Sequence, residues 1–254
     1  MDAFGIDVIV LLVGVAFVAG LIDAIAGGGG LLVLPALLSA GLPPTAALAT
    51  NKLQGVFGTA TSTLNFAHKG ALRFRDVGLA VFWTFIGSAS GTFIVARVGD
   101  TRLSALLPLL LIAFALYFLL SPRVGDVERA RRLGERAFAF VIGFGIGFYD
   151  GFFGPGTGAF FALAYVALAG FTLTRATAHA KALNFTSNLA SMLAFALGGH
   201  IIWSLGLTMA VGQIAGGWLG SHLVLRHGTR LVRPALVTVS LLLSARLLWQ
   251  QFSI

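Results

Sequence analysis

The sequence predicts an all-α, polytopic membrane protein built of two homologous repeats, each a glycine-broken helical hairpin followed by three transmembrane helices. Three observations lead there. The chain of 254 residues is 57% hydrophobic and only 10% charged, where a soluble domain carries about a quarter charged residues. Its apolar runs at 77–96 and 103–120 are long enough to cross a hydrocarbon core of roughly 30 Å. And the second half repeats the first: "AGLPPTAALATNK" (40–52) aligns with "AGFTLTRATAHAK" (169–181) at a constant offset, and 11 of the 31 positions from 40 to 70 are identical. At a slightly smaller offset Gly20, Asp23, Gly27 and Gly29 fall on Gly147, Asp150, Gly154 and Gly156. Such duplication is common in secondary transporters.

The elements follow in order. Residues 5–42 are apolar but broken by "GGGG" at 27–30, and the start "MDAFGIDVIV" carries acids where a signal peptide needs basic residues, so it reads as a retained helix. Plain spans follow at about 44–68, 77–96 and 103–120. This first repeat, 1–122, is joined by a hydrophilic linker, 123–136, to a second repeat, 137–254. There the apolar region 137–170 is broken by "GPGTG" at 154–158, and spans follow at 174–198, 201–224 and 231–251.

Loop charge decides how the halves are related. If each glycine-broken region folds back as a hairpin, Lys69, Arg73, Arg75, Arg123, Arg129, Arg131, Arg132, Arg136, Arg175, Arg226, Arg230 and Arg233 share one side. Only Arg97, Arg102 and Arg246 lie opposite. That asymmetry is what the positive-inside rule expects of inverted repeats with basic loops in the cytoplasm and both termini outside. The net charge of +8 is then a matter of orientation and calls for no nucleic-acid partner. The partners expected are the lipid bilayer, a small anionic solute and protons as a coupling ion, with a homo-oligomer left open.

Four charged residues fall inside the spans: Asp23, Lys52, Asp150 and Lys181. Each costs about 3 kcal/mol at the centre of a membrane helix, so they are expected to turn inward and pair, Asp23 with Lys52 and Asp150 with Lys181. The plainer reading is that such pairs only pin a hairpin to the next helix. The glycines add to the case. Gly27, Gly28, Gly29 and Gly30, and Gly154, Gly156 and Thr157, are expected to leave backbone N–H groups at the start of a half-helix, an anion site; close helix packing is the alternative. Lys181, Asn184, Asn188 and Ser191 share a helical stripe, with Lys52, Gly55, Thr59 and Ser62 as counterparts and Asn51 and Gln54 nearby. Two lysines with amide and hydroxyl donors suit a small oxyanion such as sulfite, sulfate or a sulfonate. His179 is a candidate proton-handling group.

Enzyme motifs are missing: there is no HExxH, P-loop or GxSxG, and the glycine runs follow helices rather than strands. The chain has no cysteine, which removes disulfides and thiol chemistry. No cofactor or metal is expected.

The stretches "LIDAIAGGGGLLVLPALL", "ALATNKLQ", "GFYDGFFGPGTG" and "ATAHAKALNFTSN" resemble the TauE/SafE family of sulfite exporter-like permeases of the bacterial inner membrane, over nearly the whole chain. The resemblance implies a multi-pass transporter of sulfur-containing anions such as sulfite, sulfoacetate or other organosulfonates. The family's glycine signatures fall on Gly27 to Gly30 and on Gly154 to Gly158, the second interrupted by Pro155 and Thr157, and its ATNK segment falls on Ala49 to Lys52. Two rival readings stand beside it: a cation channel or transporter using Asp23 and Asp150, and a non-transporting membrane partner protein.

Overall fold

The computed structural model describes residues 5–107, 109–110 and 130–228. The expected span at 231–251, the end of the span at 103–120, linker residues 123–129 and Arg123, Arg129, Arg230, Arg233 and Arg246 lie outside the described residues.

Every described element is helical. Helix α1 (Ile6–Ala26) stops at Gly27, whose φ of 79° only glycine adopts readily and whose N–H returns to Asp23 O. The short α2 (Gly30–Ser39) follows, and α3 (Pro44–His68) opens on a proline, favoured where the N–H has no helical partner. After a 3₁₀ turn at Phe74–Asp76 come α4 (Gly78–Val95) and a helical stretch at 100–107. The second half begins with α5, in which α-helical Glu135–Phe138 and Gly145–Phe152 flank a π-helical stretch, Ala139–Phe144. Then come α6 (Thr157–Ala169), α7 (Leu173–Leu197, capped by Thr172 accepting the Arg175 N–H) and α8 (Trp203–His227).

Glycine fixes which helices touch. On α8, a Cβ at Gly212, Gly216 or Gly220 would lie 2.4, 2.0 or 2.5 Å from the carbonyls of Val13, Phe17 and Leu21 of α1. Both series advance one turn at a time in the same sense, so α1 and α8 pack in parallel, backbone against backbone. On the other side of the bundle α4 and α5 do the same, with Gly87 against Phe144 O and Gly91 against Phe148 O. Helix α3 also runs along α8: Leu53 meets Gly206, Gly58 meets Gln213, and Asn65 donates to Ser221.

Since α1 and α3 share a direction and α2 lies between them, the chain folds back at the glycines. Gly20 and Gly58 both face Gln213. From that level α1 continues about 9 Å to Ala26, whereas α3 continues about 15 Å to His68. The turn at 27–29 is thus inside the bundle, and the hairpin enters and leaves at the end where α3 begins.

Two apolar cores stack along the bundle. One gathers Leu34, Leu42, Leu48, Val95, Leu103, Phe195 and Leu205 at the end where α3 begins. There Asp100 Oδ1 accepts from both the N–H and the hydroxyl of Thr45, and the Ile202 N–H donates to Thr50. The second gathers Phe66, Leu72, Phe138, Tyr165, Leu173 and Val224 at the opposite end, where the Arg132 N–H donates to Leu168 O. Lys69, Arg73, Arg75, Arg131, Arg132, Arg136, Arg175 and Arg226 cluster at this second end, and Arg97 and Arg102 at the first. Phe82, Phe93, Val141, Val211 and Trp218 are exposed on the flanks, an apolar belt suited to lipid tails.

Candidate functional site

Between the two cores lies a polar layer. Lys52 and Lys181 are each the ninth residue of α3 and α7, in helices rich in alanine and threonine, where small neighbours let a long side chain reach the axis. Both are 1% exposed. Lys52 Nζ lies 2.8 Å from Asp150 Oδ1, and Lys181 Nζ lies 2.8 Å from Asp23 Oδ2. The expected pairing within each half is thereby overturned: each aspartate ends the first helix of one half and neutralises the lysine of the other. The reason is in the packing of the breaks. Gly27 and Gly158 touch so closely that a Cβ on Gly27 would lie 2.2 Å from Ala159 N, and one on Gly158 would lie 2.7 Å from Gly27 Cα and 2.9 Å from Lys181 Nζ. A Cβ on Gly154 would lie 2.8 Å from Lys52 Nζ. With both breaks in contact, each lysine meets the opposite break.

The two pairs are not equivalent. Asp150 is sealed, its side chain 2% exposed, and Oδ1 also accepts from Thr157 Oγ1 at 2.7 Å. Asp23 is 16% exposed and accepts from the Gly29 N–H at 3.3 Å. The Tyr149 hydroxyl donates to Pro155 O, holding the second break in shape.

A cavity of about 30 Å³, room for one or two waters, lies among these groups. Its wall brings together Asp23, Gly27, Gly29, Gly30, Asn51, Lys52, Gln54, Asp150, Gly154, Gly156, Thr157, Asn184 and Asn188, all expected from the sequence. Gln54 donates to Asn51 Oδ1 at 2.9 Å, and Asn188 to Asn184 Oδ1 at 3.3 Å. Two buried acceptors in the wall, Asp150 Oδ2 and Gln54 Oε1, have no hydrogen-bond partner.

Other expectations are met differently. Lys181 stands behind the wall, held by Asp23, and Gly28 does not line the cavity. His179 lies apart, between the Tyr165 and Phe171 rings, with Nδ1 bonded to Arg175 O. Ser191 is used between helices, 2.7 Å from Ser88 Oγ and 2.9 Å from Thr92 Oγ1. The N–H groups of the breaks are partly taken: Gly29 by Asp23, Leu31 by Gly28 O, and Thr157 by Gly154 O. Gln213 is a wall residue that sequence reasoning missed, although an amide amid the apolar residues and glycines of α8 is the signal that marks it. Gly158, Gly55 and Thr59 also contribute to the wall. Among the described residues no His, Asp or Glu cluster could hold a metal ion.

A lipid-belted helical bundle with charged pairs buried at its centre and helices broken beside them defines a membrane transporter. The family model "Sulfite exporter TauE/SafE" matches residues 12–247, and the chain belongs to that family. It is 47% identical over 247 residues to a "Probable membrane transporter protein" of Haemophilus influenzae, covering 97% of each chain. It is 50% identical over 235 residues to the "Probable membrane transporter protein YfcA" of Escherichia coli K12, covering 92% of this chain and 87% of that one. The "Probable membrane transporter protein YunE" of Bacillus subtilis is 24% identical over 270 residues. No solved structure matches. The protein is therefore a membrane-embedded permease and not an enzyme.

Proposed function

We propose that the protein moves a small sulfur-containing anion (sulfite, sulfoacetate or another organosulfonate) across the bacterial inner membrane by alternating access. Residues 1–122 and 137–254 act as inverted repeats, with the basic end of the bundle in the cytoplasm. The observation that carries this reading is the pair of buried lysines, each bound to the aspartate of the other half beside a glycine break. The paired groups sum to zero formal charge, so an arriving anion has to take a carboxylate's place at a lysine. Protonation of that carboxylate frees the lysine without leaving a bare negative charge, which makes the exchange proton-coupled. The unpaired Asp150 Oδ2 supports this order, since it is the acceptor to which a proton can add.

In this reading Lys52 and Lys181 take the charge of the substrate. Asn51, Gln54, Asn184, Asn188 and the backbone of Gly27, Gly29, Gly30, Gly154 and Gly156, with Thr157, hold its oxygens. The parallel packing of α1 on α8 and of α5 on α4 supports the repeat arrangement: corresponding helices make corresponding contacts across the halves. The cavity admits only water, so this conformation is an occluded one that opens by rocking of one half on the other.

The test is a thermal-shift series on purified protein with sulfite, sulfate, thiosulfate, sulfoacetate, chloride and alkali cations. Stabilisation by one sulfur oxyanion, lost in the Lys52→Gln/Lys181→Gln variant, supports the site, because a ligand of the native state stabilises it by mass action. Stabilisation by cations alone transfers the site to Asp23 and Asp150 as cation ligands.

A further inference from the structure

The two ion pairs differ in what each carboxylate leaves over. Asp23 uses both oxygens: Oδ2 holds Lys181 Nζ at 2.8 Å, and Oδ1 accepts from the Gly29 N–H. Asp150 gathers its contacts on Oδ1, which takes Lys52 Nζ and the Thr157 hydroxyl, while Oδ2 is buried without a partner. Gln54 Oε1, in the wall of the same cavity, is also buried without a partner. Its orientation is fixed, because Gln54 Nε2 donates to Asn51 O at 3.2 Å and to Asn51 Oδ1 at 2.9 Å, two acceptors that a reversed amide would oppose. Most buried polar atoms in native proteins are paired. Two acceptors pair with each other only when a hydrogen is added. Gln54 stands two residues beyond Lys52; the residue two beyond Lys181 is the buried Leu183, which has no acceptor to offer.

We infer that the proton of the transport cycle is held at one pair alone, on Asp150 Oδ2, and that Gln54 is the positioning residue that accepts the resulting O–H, directly or through a water of the cavity. This rests on the proton-coupled reading above and assigns the proton to one of the two pairs. A proton from water adds to Oδ2, Lys52 keeps its own protons and is released to the anion, and Gln54 Oε1 stabilises the neutral acid. Asp23 stays ionised beside Lys181. Among the described residues, the charged and titratable groups around Asp150 are Lys52 from α3, Asp23 from α1 in the same cavity wall with Lys181 from α7 behind it, and Tyr149 on α5 itself, whose hydroxyl donates to Pro155 O. Helix α4 meets this stretch through Ser88 and Thr92, which do not titrate.

The experiment is an infrared pH titration of the purified full chain, following the carbonyl band of a buried carboxylic acid. The band is expected to vanish in Lys52→Gln/Asp150→Asn and to persist in Lys181→Gln/Asp23→Asn, double variants that strand no charge. Gln54→Leu should move its midpoint down by about one pH unit, the size of one hydrogen bond. Gln54→Glu should move it up, since a second carboxylate beside the first disfavours ionisation of both. Absence of the band at every pH, its persistence without Asp150, its loss without Asp23, or a midpoint left unmoved or moved the same way by the two Gln54 substitutions overturns the proposal. Sulfite added to the same samples reads the anion site through thermal stabilisation. A protein that titrates as expected yet gains no stability from sulfite refutes the anion reading and leaves the proton site standing.

Discussion

Lys52 and Asp150, 2.8 Å apart, belong to different halves of the chain, and among the described residues neither has an ion pair within its own half. Removing one member of such a buried pair strands the other charge, at a cost of about 3–5 kcal/mol. Lys52→Gln or Asp150→Asn alone should therefore lower thermal stability sharply, and the double variant should regain most of the loss. In a double-mutant cycle Lys52 and Asp150 should couple by more than about 1 kcal/mol, while Lys52 and Asp23 should couple far less. Strong coupling of Lys52 to Asp23 instead would restore pairing within a half.

The glycine contacts sort by position. At Gly151 a Cβ would stand 1.9 Å from Ser88 O, backbone that cannot move aside, so Gly151→Ala should destabilise by about 1–3 kcal/mol. Gly14 and Gly145, helical and with nothing within 4 Å, should accept alanine with a gain of about 0.5–1 kcal/mol. Unfolding midpoints of the three variants in one detergent decide the matter; equal effects would mean that α4 and α5 do not pack this closely.

Asp100 holds the start of α3 from a distance. The hydroxyl and backbone N–H of Thr45 donate to its carboxylate and keep it below its ordinary value, with His200 assisting. A carboxyl group depressed on folding contributes stability above its unfolded value, and that contribution is lost as pH falls through the folded one. Wild type should exceed Asp100→Asn in melting temperature by a constant margin above about pH 5. The margin should shrink below the ordinary value of 3.8. Thr45→Val, which removes the hydroxyl donor and keeps the N–H, should weaken the pH dependence; a margin unchanged down to pH 2 would remove the contact.

The chain has no cysteine, so single cysteines can be read without a background. Cysteines at Arg75 and Arg226 should react with an impermeant maleimide from one face of sealed membrane vesicles, and cysteines at Arg97 and Arg102 from the other. Labelling of all four from one face would dismantle the inverted arrangement.

Much of this fold is legible in the sequence because membrane helices announce themselves locally. The spans expected at 44–68 and 174–198 appear as Pro44–His68 and Leu173–Leu197, since an apolar run, a proline or threonine start and a glycine end leave little freedom. The wall of the cavity is legible for a related reason: Lys52, Asn184 and Asn188 stand out as polar residues on an apolar background. The partners are less legible. Periodicity says which residues share a face of α3, but not which helix that face meets, so the exchange of aspartates between halves rests on the contact of Gly27 with Gly158. Gln213 belongs to the same class, since its place at the centre depends on α8 lying between α1 and α3. His179 shows the converse: two residues from Lys181 along the chain, it points to another cavity.

The exchanged pairs also bear on how the protein is made. Asp23 leaves the ribosome early, and its lysine follows 158 residues later. At ordinary rates of synthesis that interval is on the order of ten to thirty seconds. Throughout it the carboxylate lacks its final partner and can meet only Lys52, which is itself waiting for Asp150, and a bare charge in lipid is costly. The nascent first hairpin must therefore pair provisionally with Lys52, linger near water or be sheltered by the insertion machinery until its counterpart arrives. Expressed alone, either half is a substrate for quality-control proteolysis, and the two expressed together as separate chains should rescue one another.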